Sequence, residues 1–298
     1  MTAHAVFPLT APALSLQGIS KYFGELEVLR DISVQVAQGE ILALLGTSGC
    51  GKSTLLNILS GLLKADQGSL QLEGLAAEDF DGWRRVAYMF QEDRLLPWRT
   101  VRSNVVFGLE GSGLSKAERL VRADAALKLV ELEAFAKAWP HQLSGGMRSR
   151  VALARSLVVE PGVLLMDEPF SKLDPQTRSQ MHDELLRLQA LKGMTIVFVT
   201  HDVEEAVVLA DRVVVLEPRP GRVRDIVAID LPRPATLASR NRTPAGHRKR
   251  STGGWSASRS SAGSGRGTCE TSAPDRCTGA PRSARPARHW SGSMASTS

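Results

Sequence analysis

The chain has 298 residues, of which 43% are hydrophobic and 23% are charged, a composition typical of a globular protein with one large domain or two. Its three cysteines, Cys50, Cys269 and Cys277, do not have the pattern of a disulfide framework or a zinc site, which favours a reducing compartment. No apolar run approaches the roughly 18 residues that span a bilayer. Residues 1–12 also lack the Lys or Arg that begins a signal peptide.

The formal net charge of +6 would suggest a nucleic-acid partner, but the charge is unevenly distributed. Residues 1–232 contain 25 Lys and Arg against 29 Asp and Glu, whereas residues 233–298 contain 12 against 2. The excess of positive charge therefore belongs to the C-terminal segment. The body of the chain gives no indication of a nucleic-acid surface.

The first elements are predicted strands. Residues 14–40 alternate short apolar stretches with polar residues, the period-two pattern of antiparallel strands, and residues 1–13 form an N-terminal extension before them. Tyr22 and Phe23 precede Gly24 in the predicted turn between the strands. An aromatic ring at this place could stack on a base or pack within the hairpin, and both alternatives stay open.

A glycine-rich loop at residues 46–54 follows the apolar run 41–45 and precedes the leucine-rich segment 55–63. This order of strand, loop and helix is typical of a phosphate-binding loop. Glycines let the backbone wrap closely enough for successive N–H groups to face phosphate oxygens. The positive end of the following helix also favours an anion.

Two side chains of the loop complete the predicted site. Lys52 would add a positive charge near the β and γ phosphates, and the Ser53 hydroxyl would coordinate Mg²⁺. The pattern therefore predicts binding of a nucleoside triphosphate. The residues that we predict to bind it are Gly46, Thr47, Ser48, Gly49, Cys50, Gly51, Lys52, Ser53 and Thr54.

The middle of the chain changes from strands to helices. Residues 68–72 and 86–90 have the composition of strands. Ser115 and Glu118 then form a predicted capping box, and the apolar residues that follow have helical spacing. We interpret residues 92–160, approximately, as a helical insertion.

Two carboxylates follow a predicted buried strand at residues 163–166. Asp167 is placed to hold the Mg²⁺ shell, and Glu168 is placed to polarise an attacking water.

Strands and helices alternate after these carboxylates. Asp174 caps a helix that ends at Gly193, residues 195–200 form a buried strand, Asp202 caps the next helix, and residues 212–216 form a further strand. This alternation predicts an α/β fold with a mainly parallel sheet and helices on both faces.

The pattern stops at residue 233. Residues 233–298 are rich in Ser, Gly, Arg, Pro, Ala and Thr and show no periodicity, which predicts a disordered tail. One hypothesis is that the reading frame shifted near Ala238. The alternative is a natural basic linker.

A second glycine-rich helix start lies at residues 143–147, where Ser144 is the predicted cap. Its free N–H groups suit a γ phosphate. Two phosphate-seeking helix ends in one chain make sense if one of them serves the nucleotide that another copy holds.

In the order of these motifs, residues 14 to about 232 resemble the ATPase subunit of ABC transporters. The motifs are Walker A at 46–54, the Q-loop at Gln91, the signature at 143–147, Walker B at 163–168, the D-loop at 171–174 and the switch histidine at His201. The resemblance implies a P-loop NTPase fold with a mainly parallel sheet, an antiparallel β subdomain and the helical insertion. It also implies ATP and Mg²⁺ as ligands and a homodimer.

The resemblance further implies a role for individual residues. Gln91 contacts Mg²⁺ and senses the permease, Asp174 couples the two sites, and His201 contacts the γ phosphate together with the catalytic Glu168. Phe23 best matches the aromatic that stacks on adenine, with Tyr22 as its substitute. The Mg²⁺ set is then Ser53, Gln91 and Asp167, and the signature set, acting on the second copy's ATP, is Leu143, Ser144, Gly145, Gly146 and Met147.

Three residues depart from the family pattern. Met147 replaces the usual signature glutamine, as it does in importers of the nitrate, sulfonate and taurine type. Ser149 replaces a second glutamine, and Lys172 replaces the common D-loop alanine. These two changes leave the predicted catalytic carboxylates intact, but they are expected to affect how strongly the two subunits of the dimer are coupled.

The expected function is ATP hydrolysis that drives import of a small solute through a membrane permease, from the cytoplasmic face and with an extracytoplasmic solute-binding protein. Leu95, Leu96 and Trp98 either form an apolar docking groove for the permease or pack within the helical insertion. Another transport system, with a different solute or with export, is the alternative. A DNA-maintenance ATPase would need a long heptad insertion or a zinc site, and a soluble regulatory protein of this family usually carries two cassettes.

Overall fold

The computed structural model describes residues 11–230. The predicted tail at 233–298 and most of the predicted extension at 1–13 lie outside the described residues. The strands are β1 (Leu14–Phe23), β2 (Leu26–Val36), β3 (Ile41–Gly46), β4 (Gln67–Leu72), β5 (Leu75–Ala76), β6 (Val86–Met89), β7 (Val163–Asp167), β8 (Thr195–Thr200), β9 (Arg212–Glu217) and β10 (Arg222–Ala228). The helices are α1 (Lys52–Leu59), α2 (Val101–Phe107), α3 (Lys116–Leu129), α4 (Gly145–Leu157), α5 (Pro175–Lys192) and α6 (Val203–Leu209), with short 3₁₀ turns at Gly82–Arg85, Glu133–Phe135 and Pro140–Gln142.

The strands form two sheets. The larger sheet has the order β10-β9-β3-β8-β7-β6, in which β9 to β6 are parallel and β10 pairs antiparallel with β9. The smaller sheet has the order β2-β1-β4-β5 and is antiparallel throughout. The predicted fold class, a mainly parallel sheet with an antiparallel β subdomain, is confirmed.

The central strands β3, β7 and β8 of the larger sheet are almost entirely buried, and nearly all of their residues are apolar. Alternate residues of a strand point to opposite faces. Ile41 and Ala43 therefore belong to one core together with residues of α2 to α6, whereas Leu42 and Leu44 belong to a second core with residues of α1 and the smaller sheet. The central strands thus lie between two apolar layers, which is the reason for their continuous hydrophobicity.

The helix ends follow the local signals of the sequence. Ser115 and Glu118 form the predicted capping box of α3, and Asp174 and Asp202 cap α5 and α6 with their carboxylates. Gly193 ends α5 with a φ of 65°, a left-handed conformation that glycine adopts without steric cost.

One local prediction was wrong, and one strand was missed. The strand β1 continues through Tyr22 and Phe23, so the turn begins only at Gly24. The strand β10 was missed because its side chains are mostly exposed and show no alternation of apolar and polar residues.

Asn104 ties the segment after β6 to the helix α2. Its side chain is fully buried, its Oδ1 accepts the Leu96 N–H at 2.8 Å, and its Nδ2 lies 3.1 Å from each of the carbonyl oxygens of Leu96, Arg99 and Thr100. One buried amide group therefore binds four main-chain polar atoms of this segment.

We expect Asn104→Ala to lower the free energy of unfolding by about 3 kcal/mol, because it removes the hydrogen bonds of a fully buried amide group and leaves a cavity in its place. Urea denaturation would measure the change. The control is Val121→Ala, at an exposed position of α3, for which we expect a change within about 0.5 kcal/mol. An Asn104→Ala variant as stable as this control would show that the segment is held by other contacts.

Candidate functional site

The candidate site lies where four parallel strands end. The strands β3, β8, β7 and β6 are neighbours in this order, so their carboxyl ends meet at one edge of the sheet. The glycine-rich loop follows β3, His201 follows β8, Asp167 and Glu168 end β7, and Gln91 follows β6. Such an edge is the usual ligand site of open α/β sheets. A cavity of about 270 Å³ opens there, lined by Val28, Ser48, Gly49, Gly51, Lys52, Ser53, Thr54, Gln91, Asp167, Glu168 and Val199.

The glycine-rich loop has a backbone that larger residues would not allow. Gly49 and Gly51 have φ angles of 79° and 89°. A Cβ atom on Gly51 would lie 2.5 Å from the Leu29 side chain, and one on Gly46 would lie 2.7 Å from the Cys50 Sγ. The loop therefore depends on glycine both for its conformation and for its close contacts with β2 and with itself.

Lys52 is held at the start of α1. Its side chain is buried, and its Nζ donates to the carbonyl oxygens of Gly46 at 2.8 Å and Thr47 at 2.9 Å. The ammonium group thus lies inside the curve of the loop, next to the N-terminus of the helix. Both the charge and the helix end favour an anion in the cavity.

Asp167 is a buried carboxylate at the end of β7. Burial raises the pKa of its carboxyl group, a hydrogen bond with the Ser53 side chain lowers it, the neighbouring Glu168 raises it, and Lys52 lowers it, with a net upward shift. A buried carboxylate beside a serine hydroxyl is a suitable oxygen ligand pair for Mg²⁺. Among residues 11–230, no group of three or more His, Cys, Asp and Glu could hold a metal. Mg²⁺ needs no such group, since it usually binds one or two carboxylates together with substrate phosphates.

Glu168 lies between Gln91 and His201. Its Oε2 accepts the Gln91 Nε2–H at 3.2 Å, and its Oε1 lies 3.3 Å from the His201 Nδ1. Its φ of 47° is unusual for a residue with a side chain, and strain of this kind is found at functional sites. The main-chain N–H donates to the Val199 carbonyl, and the Glu168 carbonyl accepts the Ser171 hydroxyl, so the backbone is held on both sides.

Not all of the predicted residues lie at this cavity. Residues 143–147 are not among those that line it, although Ser144 does cap α4, with its Oγ accepting the Met147 N–H. Asp174 caps α5 and does not line the cavity either. Phe23 is 51% exposed at the end of β1, its ring centroid lies 5.7 Å from the Lys21 Nζ, and it does not line the cavity.

Three contacts at the cavity were not predicted. Val28 and Val199 line it, but nothing in their apolar patterns distinguishes them from core residues. Lys172 donates from its Nζ to the Gln91 carbonyl at 3.1 Å. The sequence shows that Lys172 departs from the family pattern, but it does not show which group its ammonium contacts.

The three residues Leu95, Leu96 and Trp98 do not share one environment. Leu95 belongs to the core that contains α2 to α4, so the alternative of packing within the helical insertion is correct for this residue. The main chain of Leu96 is bound by Asn104, and Trp98 is 70% exposed. A larger cleft of about 930 Å³ lies nearby, between β6, α2 and α4, and none of the three side chains lines it.

The sequence is similar to those of transporter ATP-binding proteins. A family model described as ABC transporter matches residues 29–171. An uncharacterised ABC transporter ATP-binding protein of Methanocaldococcus jannaschii is 47% identical over 76% of this chain and 85% of its own length. An aliphatic sulfonates import ATP-binding protein of Xanthomonas axonopodis pv. citri is 46% identical over 76% of this chain and 89% of its own length. A taurine import ATP-binding protein of Escherichia coli O157:H7 is 46% identical over 71% of this chain and 82% of its own length.

The structure is similar to those of solved bacterial cassettes. The dimeric structure of a bacterial ABC transporter cassette has a TM-score of 0.68 and 33% identity, covering 72% of this chain and 98% of that one. A dimeric post-hydrolysis state bound to ADP and Pi has a TM-score of 0.67 with the same identity and coverage.

We expect Asp167→Asn to stabilise the nucleotide-free chain at pH 7, because it removes a carboxylate whose charged form is disfavoured by burial. The size of this gain depends on pH. A pKa that is raised in the folded state costs stability above that pKa, and the cost disappears below the unfolded value, about 3.9. The gain should therefore shrink as the pH falls through this range. Thermal unfolding in EDTA would measure it, and a variant less stable than the wild type at pH 7 would contradict it.

Proposed function

Because the chain belongs to the ATP-binding proteins of ABC transporters, we propose that it binds MgATP at the glycine-rich loop and hydrolyses it to drive import of a small solute. One observation carries this proposal. The glycine-rich loop, the carboxylates after β7 and the side chains of Gln91 and His201 come together at one edge of the sheet, although they are far apart in the sequence. A triphosphate bound by the loop would have its γ phosphate beside Glu168.

The loop residues bind the triphosphate in this proposal. The N–H groups of the loop and the N-terminus of α1 surround the phosphates, and Lys52 turns from the loop carbonyls to the β and γ phosphates. Ser53 and Asp167 would hold Mg²⁺, and Gln91 also lines the cavity. A metal ion held there would neutralise charge that develops on the phosphate oxygens.

Glu168 and His201 act on the reacting atoms. Glu168 accepts a proton from water while the water oxygen bonds to the γ phosphorus and the bond from phosphorus to the ADP oxygen breaks, which yields ADP and phosphate. His201 contacts the γ phosphate, and its present contact with Glu168 keeps it near that position. Gln91, which also binds Glu168, would report permease movements to the site.

The signature residues 143–147 act on the ATP of a second copy of the chain. They lie outside the cavity of their own subunit, yet they form a serine-capped helix start with free N–H groups. Two solved structures to which this structure is similar show one cassette as a dimer. We therefore place Ser144 opposite the glycine-rich loop of the partner copy, and Asp174 near the boundary between the two sites.

The solute is proposed to be of the nitrate, sulfonate or taurine type. Two relatives of similar identity are named as import ATP-binding proteins, one for aliphatic sulfonates and one for taurine. Within residues 11–230, no helix is both long and apolar enough to cross a membrane. In this proposal the solute passes through a separate permease, with the chain at its cytoplasmic face and a solute-binding protein on the other side of the membrane.

The permease contact is proposed to lie in the cleft of about 930 Å³. Its lining includes the apolar side chains of Phe107, Leu109 and Leu114. Five arginines and one glutamate also line it: Arg84, Arg85, Arg94, Arg122, Arg155 and Glu110. An apolar cleft with this excess of positive charge fits an amphipathic permease segment that carries acidic residues.

The cleft is also connected to the ATP site. The side chain of Arg155, on α4, donates to the main-chain carbonyls of Asp93 and Arg94, just after Gln91. Arg148, on the same helix, binds the Asp93 carboxylate at 2.9 Å and the Leu143 carbonyl at 2.9 Å. A movement of the segment after Gln91 would therefore be transmitted to α4, the helix that begins with the signature residues.

We expect Glu168→Gln to lower the steady-state rate of ATP hydrolysis by at least about a hundredfold and to leave ATP affinity unchanged, because only the proton acceptor is lost. Lys52→Ala is the matched contrast, for which the dissociation constant for ATP should rise about tenfold or more. Phosphate release and equilibrium binding of a fluorescent ATP analogue would measure the two effects. Normal turnover by Glu168→Gln would refute the role of this residue.

We expect the double variant Arg84→Glu and Arg94→Glu to lose co-purification with the cognate permease while retaining ATP binding, because the cleft lining would then carry equal numbers of arginines and glutamates and lose its net positive charge. The control is Lys128→Glu, which is exposed on α3 and does not line the cleft. Equal retention of the permease by the double variant and this control would place the contact elsewhere.

A further inference from the structure

A buried polar network contacts the residues on either side of His201. His182 on α5 and Glu205 on α6 are only 5% and 6% exposed, and the His182 Nε2 lies 3.3 Å from the Glu205 Oε1. Burying such groups is costly unless they are paired. Neither residue lines the cavity at the glycine-rich loop, so the proposed reaction does not explain the pair.

Glu205 is connected to both sides of His201. Its Oε2 accepts the hydroxyl of Thr200, the residue before His201. The same Thr200 Oγ1 accepts the N–H of Asp202, the residue after His201, at 3.0 Å. Two hydrogen bonds therefore fix the main chain on either side of the histidine.

The network also reaches the segment after Glu168. The ring of His182 packs edge-on against Phe170, with 4.7 Å between ring centroids, and Phe170 is buried two residues after Glu168. Arg178, one turn earlier on α5, donates to the Leu173 carbonyl at 3.0 Å and lies 3.6 Å from the Asp202 carboxylate. The helix α5 thus joins the chain that follows Glu168 to the loop that carries His201.

His201 itself depends on these main-chain contacts. Its side chain is 65% exposed, so burial does not orient it. Its Nδ1 nevertheless lies 3.3 Å from Glu168. The direction of its Cα–Cβ bond is set by the backbone at 200–202, which the Thr200 hydroxyl and the Glu205 carboxylate hold.

We propose that Thr200 and Glu205 are positioning residues for His201, with His182 as the support that holds Glu205 in place. This inference rests on the proposed function, in which His201 contacts the γ phosphate. Loss of the Thr200 hydroxyl would let the histidine move while leaving the ATP-binding loop intact. The network therefore affects the hydrolysis step rather than ATP binding.

The test compares Thr200→Val, which keeps the shape of the side chain but removes the hydroxyl, with Thr200→Ser, which keeps the hydroxyl. In the purified full chain, Thr200→Val should lower kcat for MgATP about ten- to a hundredfold, with KM within about twofold of the wild type. Thr200→Ser should retain most of the activity. A KM that rises as much as kcat falls would overturn the proposal.

The His201→Ala background distinguishes positioning from general stability. In single-turnover reactions with enzyme in excess, Thr200→Val should have less than about a twofold effect when His201 is already absent, because the two changes act through the same group. Equal effects of Thr200→Val in both backgrounds would show that the hydroxyl acts independently of His201 and would overturn the proposal.

A second variant and a second measurement do not depend on Thr200→Val folding or on activity. Glu205→Gln should slow hydrolysis in the same His201-dependent way, whereas Glu204→Gln, at the exposed neighbouring position, should not. Hydrogen exchange of the amides at 201–205 should be faster in Thr200→Val and Glu205→Gln than in Glu204→Gln. Unchanged exchange would overturn the inference alone, whereas a wild-type chain that does not hydrolyse MgATP would overturn the proposed function.

Discussion

The site depends on the order of four parallel strands. Because β3, β8, β7 and β6 are adjacent and run in the same direction, the loops that follow them meet at one edge of the sheet. The phosphate-seeking loop, the carboxylates, the histidine and the glutamine each come from a different strand end. The apolar layers on both faces of the sheet hold these strands in register, so the core determines the distances within the site.

Several residues at this edge destabilise the folded chain when each is considered alone. Asp167 is a buried carboxylate with a raised pKa, Glu168 has a left-handed backbone, and Lys52 is buried with its charge inside the loop. Each feature is unfavourable by itself and is compensated by neighbouring groups, as is common where a protein prepares a site for a charged ligand. The buried pair of His182 and Glu205 is a similar case, since Glu205 also accepts the hydroxyl of Thr200, the residue before His201.

Much of the fold and of the site could be predicted because the signals are local. The caps of α3, α5 and α6 were visible as Ser115, Asp174 and Asp202, whose side chains bond to N–H groups within three residues. What failed depended on distant contacts. Leu95 looked available for docking but is buried by α2 to α4, and β10 has no pattern of its own and exists through its pairing with β9.

The order of strand, loop and helix at 46–54, the two carboxylates after a buried strand and the serine cap at 143–147 follow from residue types and short-range spacing. The contacts of Glu168 with Gln91 and His201, the contact of Lys172 with the Gln91 carbonyl and the position of residues 143–147 outside the cavity are visible only in the folded chain. These contacts join residues of different strands and helices, whose approach is set by packing of the whole core and not by a local pattern.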